Sequence, residues 1–263
     1  MSKAPADIPV IDISPSNPEA AKQILAAAEN NGFLFIENNA AAGMPPAKVD
    51  EMFDLFFQGP VENKKECPTQ NNRGWVSMQQ ETLDPGNQKS KGASGTIMRL
   101  LYYPSVPDNL APEEDDIRAG AHSDYGTLTL LFQLPSQPGL EILTPSGTWS
   151  SVPVDPKNTL STDPSAPLPI LVNIGDLMSY WTNGLLKSTV HRVIFPKEAR
   201  KGGEDRYSMA YFCHPLDDAG LVAVPSKRIE QHKGKGRVKE GGKVLTAKDH
   251  LLERLAATYG TKA

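Results

Sequence analysis

The sequence predicts a mainly β fold with flanking helices, of the sandwich or jelly-roll type. The chain of 263 residues contains 23 prolines and 21 glycines. This content indicates many turns, which favours strands over a helix bundle. From residue 97 onward, short apolar or alternating segments recur between turn-forming stretches, as they do in all-β domains. A chain of this length can bury a core without disulfide support.

The individual elements are predicted from local patterns. The N-terminal part is expected to hold two strands and two helices, in the order strand 8–13, helix 18–30, strand 33–36 and helix 46–57. Seven further strands are expected at 97–103, 126–134, 140–143, 149–154, 170–174, 190–195 and 207–212. Thr246 should open a last helix, because Asp249 three residues later completes a capping box.

Charge and composition argue against several classes of protein. The net charge is −4 and the isoelectric point is about 5.8, which does not suit a general nucleic-acid binder. No run approaches the roughly 18 apolar residues of a membrane span, and no secretory signal is visible. Cys67 and Cys213 lie far apart, which favours a reducing compartment, so we expect a cytoplasmic protein. The sequence leaves the oligomeric state open.

His122 and Asp124 form the first candidate pair for a functional site. On a strand, residues two positions apart point to the same face, so the two side chains would project together. With His191, which lies 69 residues later, they match the two-histidine, one-carboxylate triad of non-haem Fe(II) oxygenases. Such a triad leaves coordination positions for a 2-oxo acid and O₂. Taken alone, His-x-Asp is a weak signal, and a single histidine is more often structural.

Arg206 and Ser208 form the second candidate pair, again two positions apart on an expected strand. A guanidinium grips a carboxylate with two hydrogen bonds, and a nearby hydroxyl donates one more. The pair follows His191 by 15 residues, which lets a neighbouring strand return to the same pocket. For these residues alone, a surface arginine paired with Glu204 or Asp205 is the more common arrangement.

The order of the motifs is more specific than any one of them. Along the chain stand Leu101-Tyr102-Tyr103-Pro104, residues 122–131, Gly139-Leu140-Glu141-Ile142, residues 172–176, Trp181-Thr182-Asn183-Gly184, residues 187–193 and Arg206-Tyr207-Ser208. This string resembles the iron- and 2-oxoglutarate-dependent dioxygenases of the isopenicillin N synthase-like family. The resemblance is dense from about residue 97 to 215 and looser in the N-terminal part.

The resemblance implies a double-stranded β-helix, or jelly roll, wrapped by helices. It assigns the iron ligands as His122, Asp124 and His191. It assigns the contacts to the distal carboxylate of 2-oxoglutarate as Arg206, Ser208 and Tyr103. Where this chain has Leu101, the family often has asparagine. The implied cofactor is Fe(II), with 2-oxoglutarate and O₂ as co-substrates. The implied reaction is hydroxylation, desaturation or ring closure of a small organic molecule of specialised metabolism.

The same resemblance implies three segments and one missing part. The segments are an N-terminal α/β region (1–95), the jelly-roll core (96–225), and a basic stretch with a C-terminal helix (226–263). Family members carry a longer central helical region, of which little is found between about residues 92 and 96. Its loss explains the polar stretch 67–95, which is unusually long for a loop in a compact domain.

Three alternatives remain open at this point. One is a catalytically impaired or non-enzymatic jelly-roll homologue that lost turnover with its central helices. Another is an iron oxidase that uses the Arg-x-Ser pair for its substrate's own carboxylate and does not consume 2-oxoglutarate. The last is a cupin-like binding or isomerase protein, against which Arg206 and Ser208 argue mildly.

Overall fold

Two β-sheets dominate the computed structural model, which describes residues 5–39, 42, 44–58, 60, 87–88, 92–105, 116–195, 205–232 and 244–259. The strands are β1 Val10–Ile11, β2 Phe33–Ile36, β3 Asn87–Gln88, β4 Gly92–Ala93, β5 Ile97–Tyr103, β6 Asp116–His122, β7 Leu128–Gln133, β8 Leu140–Leu143, β9 Trp149–Ser151, β10 Ile170–Ile174, β11 His191–Phe195 and β12 Arg206–Cys213. The helices are α1 Ala20–Asn30, α2 Pro46–Phe53, α3 Asp176–Trp181, α4 Lys227–Gln231 and α5 Ala247–Tyr259.

The larger sheet has six strands in the order β1-β2-β10-β7-β12-β5, and the smaller has four in the order β6-β11-β8-β9. Pairing within both sheets is antiparallel except between β1 and β2, which run parallel. Crossovers between non-consecutive strands give the jelly roll that the sequence predicts.

The space between the sheets forms one core, and the outer face of the larger sheet forms a second. Between the sheets, Phe33, Phe35 and Leu171 pack with Leu140 and Val193. On the outer face, the side chains that alternate with these along the strands pack beneath α1 and α2. They include Leu34, Val172 and Met209. The period-two alternation along β2 and β10 therefore gives each face its own apolar contacts.

Most predicted elements are confirmed, with ends shifted by a few residues. The predicted helix 46–57 ends as an α-helix at Phe53 and continues as a π-helical turn, Asp54–Gln58. The C-terminal helix begins as expected. The amide of Thr246 donates to Asp249 Oδ2 over 3.0 Å, and the amide of Asp249 donates to Thr246 Oγ1 over 3.1 Å.

Five of the labelled elements were not predicted, namely the two-residue strands β3 and β4, the strand β6, and the helices α3 and α4. The sequence of β6, Asp-Ile-Arg-Ala-Gly-Ala-His, has no apolar alternation, and its register with β11 is interrupted by two irregularities. Helix α4 occupies the start of the predicted basic linker. Most of the polar stretch 67–95, residues 197–204 and the rest of the basic segment (233–243) lie outside the described residues. Among the helices of the described chain, none combines the length and the apolar character that crossing a bilayer requires.

Candidate metal centre

His122, Asp124 and His191 meet at one end of the smaller sheet. His122 is the last residue of β6, and His191 is the first residue of β11, directly opposite it in the antiparallel register. Asp124 lies two residues beyond the end of β6. The prediction that one strand carries both His122 and Asp124 is therefore wrong. The turn after β6 brings the carboxylate to the histidines instead.

The three side chains are close enough to share one ion. Asp124 Oδ1 lies 3.5 Å from His191 Nε2 and 4.0 Å from His122 Nε2. One ligand atom from each residue lies within 4.8 Å of the other two, and within the described chain this is the one group of three or more metal-binding side chains so arranged. Asp124 and His191 are buried, whereas the His122 side chain is 43% exposed, so the centre opens on the His122 side.

Backbone carbonyls fix the orientation of both imidazole rings. His122 Nδ1 donates to the Gly120 oxygen over 2.7 Å, and His191 Nδ1 donates to the Thr189 oxygen over 3.1 Å. With Nδ1 protonated in each ring, Nε2 is the nitrogen on the side of the Asp124 carboxylate that a metal would take. This tautomer is the one a metal-ligating histidine requires.

The Asp124 carboxylate is held by the larger sheet. Its Oδ2 accepts hydrogen bonds from Thr129 Oγ1 on β7 (2.5 Å) and from Asn173 Nδ2 on β10 (2.7 Å). Both partners lie on the inward face of their strands. Oδ1 is left facing the two histidines. The partners Thr129 and Asn173 were not singled out from the sequence, although Thr129 lies within the motif 122–131 and Asn173 within the motif 172–176.

Charge at the centre follows from burial and from these contacts. Burial alone would raise the pKa of Asp124, but hydrogen bonds from His191, Asn173 and Thr129 outweigh it and hold that pKa well below its usual range. Burial alone would lower the pKa of His191, and the adjacent Asp124 raises it. Burial and the neighbouring His191 lower the pKa of His122. A metal would bind the ionised carboxylate directly and would displace the proton that Asp124 favours on His191.

Asp176 links the centre to the C-terminal helix. Its Oδ1 accepts from Ser188 Oγ (2.6 Å), and its Oδ2 accepts from Ser123 Oγ (3.0 Å). Arg254 of α5 forms an ion pair with the same carboxylate, with Nε 2.8 Å from Oδ2. The backbone amide of Asp176 donates to the carbonyl of Asp124 over 2.7 Å. One side chain thus joins the turn that carries Asp124, the segment that leads to His191, and α5.

The predicted pair Arg206 and Ser208 lies on the inward face of β12, with exposures of 3% and 1%. Arg206 Nη1 donates to Ser208 Oγ over 3.4 Å, and the guanidinium lies 5.3 Å from the Tyr103 ring centroid. Within the described chain, Arg206 has no carboxylate partner, and its buried Nε has no hydrogen-bond acceptor. Burial accordingly lowers the pKa of Arg206. A buried cation in this state calls for an anion.

The alternative pairing of Arg206 with a neighbouring acid is not observed for Asp205. That carboxylate instead accepts hydrogen bonds from the hydroxyls of Tyr102 and Tyr207 and from the amide of Ser105. Glu204 lies outside the described residues. Arg206 therefore points into the jelly roll, and Asp205 bonds to the tyrosine hydroxyls on the outer face.

The remaining histidines do not join the centre. His250 is a buried residue of α5 with its ring centroid 5.5 Å from that of Tyr180, and His214 is half-buried. Burial and the proximity of His250 lower the pKa of His214 to about 4. In the described part of the chain, neither these residues nor His232 belong to a group of three metal-ligating side chains.

The model of the 2OG-Fe(II) oxygenase superfamily matches residues 94–215, and the model of the N-terminal region of non-haem dioxygenases, described for morphine synthesis, matches residues 8–113. A UPF0676 protein of Schizosaccharomyces pombe is 28% identical over 331 positions, covering 98% of this chain and 94% of its own length. That alignment has about 70 more positions than this chain has residues in it. The relative therefore has internal residues that this chain lacks.

Two further proteins show the similarity. The 2-oxoglutarate-dependent dioxygenase htyE of Aspergillus rugulosus is 35% identical over 68% of this chain, which spans half of that protein's length. A full-length Neurospora crassa protein, crystallised with alpha-KG, superposes with a TM-score of 0.71 and 26% identity over 98% of this chain and 100% of its own. The same protein was also crystallised with alpha-KG and thymine. Fe(II) and 2-oxoglutarate are the metal and co-substrate of these enzymes, and this chain belongs to the 2OG-Fe(II) oxygenase superfamily of dioxygenases.

Proposed function

We propose that this chain is an Fe(II)- and 2-oxoglutarate-dependent dioxygenase that oxidises a small organic molecule. The observation that carries the proposal is the pairing of two features in one interior. A two-histidine, one-carboxylate group stands at the mouth of the jelly roll, and deeper inside stands a buried arginine that has no anionic partner among the described residues. Together they match the needs of a metal ion and of a dicarboxylate that chelates it.

Three atoms would hold Fe(II), namely His122 Nε2, Asp124 Oδ1 and His191 Nε2. Two imidazole nitrogens and one carboxylate oxygen are the donors of the facial triad, and three such ligands leave half of an octahedron for reactants. The outer contacts support the assignment. Thr129 and Asn173 keep Asp124 ionised and aimed, and the carbonyl acceptors of both histidines fix their tautomers.

Arg206, Ser208 and Tyr103 would hold the distal carboxylate of 2-oxoglutarate. The guanidinium is buried and its Nε has no acceptor in the part of the chain that the structure describes, so an incoming carboxylate would supply the missing partner. Tyr103 lies opposite Arg206 in the β5–β12 register, with its ring against the guanidinium. This end of the co-substrate is therefore fixed by β12 and β5 at the inner end of the site.

The bound iron, 2-oxoglutarate and O₂ together supply the oxidising equivalents, as 2-oxoglutarate is converted to succinate and CO₂ and one oxygen atom becomes available for the substrate. This chain's residues orient and protect that chemistry. Burial around Asp124 and His191 excludes water from the inner side of the centre, and the exposed edge of His122 leaves room for the substrate. Hydroxylation is the simplest outcome, and desaturation or ring closure follows where the substrate geometry favours it.

The proposal is tested by anaerobic addition of Fe(II) and 2-oxoglutarate, followed by O₂. We expect the weak visible absorption band of a chelated 2-oxo acid, and then O₂ uptake matched by succinate. His122→Ala, Asp124→Ala and His191→Ala should each abolish both signals, whereas His232→Ala, which alters a histidine outside the centre, should not. O₂ uptake without succinate would favour an oxidase independent of 2-oxoglutarate. Metal binding with no oxidation of 2-oxoglutarate, with or without candidate substrates, would favour an impaired homologue.

We also propose the three-segment division at residues 95 and 225 and a cytoplasmic location. The location is supported by the low cysteine count, with two residues far apart in the chain. A small-molecule substrate, in place of nucleic acid, is supported by the acidic balance of the chain and by the thymine complex of the Neurospora crassa protein. Specialised metabolism is the setting suggested by the fungal dioxygenase relatives.

A further inference from the structure

Gln133 is a buried amide that has no role in the function proposed above. It is the last residue of β7, it is 9% exposed, and its Oε1 has no hydrogen-bond partner within the described chain. An unpaired amide oxygen in the interior destabilises a folded protein. Buried side-chain polar atoms are paired in the large majority of cases, so this exception needs an explanation.

The strand register places this amide beside the carboxylate-binding pair. On β12, Ser208 lies opposite Gln133 of β7 on one side and opposite Leu101 of β5 on the other. Residues opposite each other in antiparallel strands share a face, so Gln133 lies on the inward face with Ser208 and Arg206. Leu101 offers no hydrogen-bonding group, which leaves Gln133 as the polar cross-strand neighbour of Ser208.

Two unsatisfied polar groups thus occupy one end of the same interior. One is the amide of Gln133, and the other is the Nε of the buried Arg206. Within the described chain, neither Gln133 Oε1 nor Arg206 Nε has a hydrogen-bond partner, and no ion pair accounts for the burial of Arg206. A carboxylate placed between them would accept from the guanidinium directly, and from the Gln133 NH₂ once the amide is turned so that this group takes the place of Oε1.

Resting on the proposed function, we propose that Gln133 is a co-substrate-binding residue that donates its Nε2 to the distal carboxylate of 2-oxoglutarate, together with Arg206 and Ser208. The oxygen and nitrogen of a glutamine amide are nearly isosteric, so a half-turn of the amide presents the NH₂ group where Oε1 stands. Gln133 then supplies the hydrogen bond that Leu101, on the other side of Ser208, cannot supply.

The test compares Gln133→Leu with the unaltered protein in calorimetric titrations of the anaerobic, Fe(II)-loaded chain. We expect the dissociation constant for 2-oxoglutarate to rise about 10- to 100-fold, the value of a hydrogen bond to a charged group. Pyruvate, which has the 2-oxo acid but lacks the distal carboxylate, should bind equally to both proteins. The melting temperature of the metal-free variant should stay the same or rise, because the unpaired buried oxygen is gone.

A matched control is Gln137→Leu, four residues along the chain. Gln137 Oε1 accepts from the backbone amide of Tyr207 over 2.7 Å, so this variant should lose stability and keep its affinity for 2-oxoglutarate. If Gln133→Leu folds poorly, Gln133→Glu replaces it. The new carboxylate keeps the shape, repels the co-substrate, and should weaken 2-oxoglutarate binding further while sparing pyruvate.

Three results would overturn the assignment. One is unchanged 2-oxoglutarate affinity in Gln133→Leu, and another is equal loss of 2-oxoglutarate and pyruvate binding. The third is a loss of melting temperature as large as that of Gln137→Leu, which would make Gln133 a structural residue. In all three cases the unaltered protein still binds 2-oxoglutarate, and the proposed function stands. Failure of the unaltered protein to bind 2-oxoglutarate would instead overturn the proposed function, and this assignment with it.

Discussion

Replacement of Asp176 by asparagine tests the contacts that support the metal centre while leaving its three proposed ligands unchanged. The carboxylate accepts from Ser123 and Ser188 and pairs with Arg254, and the residue is the first of α3. Asparagine keeps one acceptor oxygen, loses the charge, and turns an NH₂ group toward a donor. A hydrogen bond to a charged group contributes about 1.5–3 kcal/mol, and a partly exposed ion pair contributes less than about 1 kcal/mol. We expect Asp176→Asn to lower the free energy of unfolding by about 2 kcal/mol.

The same variant should also weaken Fe(II) binding about tenfold, the lower end of the range for residues that support metal ligands. The reason is position, since Ser123 lies between two ligands and Ser188 lies three residues before the third. Urea denaturation measures the first effect and anaerobic Fe(II) titration the second. Asp217→Asn is the control, because Asp217 pairs with Lys248 of the same α5, with N and O 3.7 Å apart, and its side chain is as exposed as that of Asp176, at 17%. Equal Fe(II) affinities in the two variants would refute the reasoning.

Three further outcomes concern stability. His214 has a pKa of about 4 in the folded chain and about 6.5 when unfolded, so the unfolded state binds more protons in between and stability falls as pH drops through that window. His214→Gln should therefore reduce the loss of unfolding free energy between pH 7 and pH 5 by about 1–2 kcal/mol in metal-free protein, and an unchanged loss would contradict this. Thr246→Ala should cost about 1 kcal/mol in chemical denaturation, through loss of the capping bond to the Asp249 amide. Gly32→Ala should cost more than about 2 kcal/mol by the same measurement, because Gly32 has φ +72° and an added Cβ would clash with a backbone oxygen.

The chemistry of the centre could be predicted from the sequence, but its geometry could not. The histidine and aspartate residues can be identified in the sequence, and their order along the chain indicates the triad. The reason given for the proximity of His122 and Asp124 was a shared strand, yet β6 ends at His122. Asp124 is placed by a turn whose carbonyl accepts from the Asp176 amide, and that contact depends on α3. A local pattern cannot reveal a tertiary contact of this kind.

The fold was predictable wherever burial leaves a periodic pattern. Strand β12 carries buried Arg206 and Ser208 on one face, and the two-residue spacing was sufficient to place them together. Strand β6 is different, because its position is set by pairing with β11 through an irregular register. Its own residues include Arg118 and Gly120, which give no alternation. Gln133 was also missed, because its significance depends on the strand that pairs with it.

The internal residues that this chain lacks relative to the Schizosaccharomyces pombe protein affect the choice of substrate more than the binding of the metal. The contacts that hold the centre come from Gly120, Thr129, Asn173, Asp176 and Thr189, all within the jelly-roll core or the turns between its strands. The roughly 70 positions that the Schizosaccharomyces pombe relative has in excess contribute none of these contacts. Loss of a central region would therefore leave Fe(II) and 2-oxoglutarate binding intact and would alter what covers the exposed side of the site. For this reason binding of the co-substrate and turnover of a substrate need to be measured separately, since the first depends on residues that this chain retains.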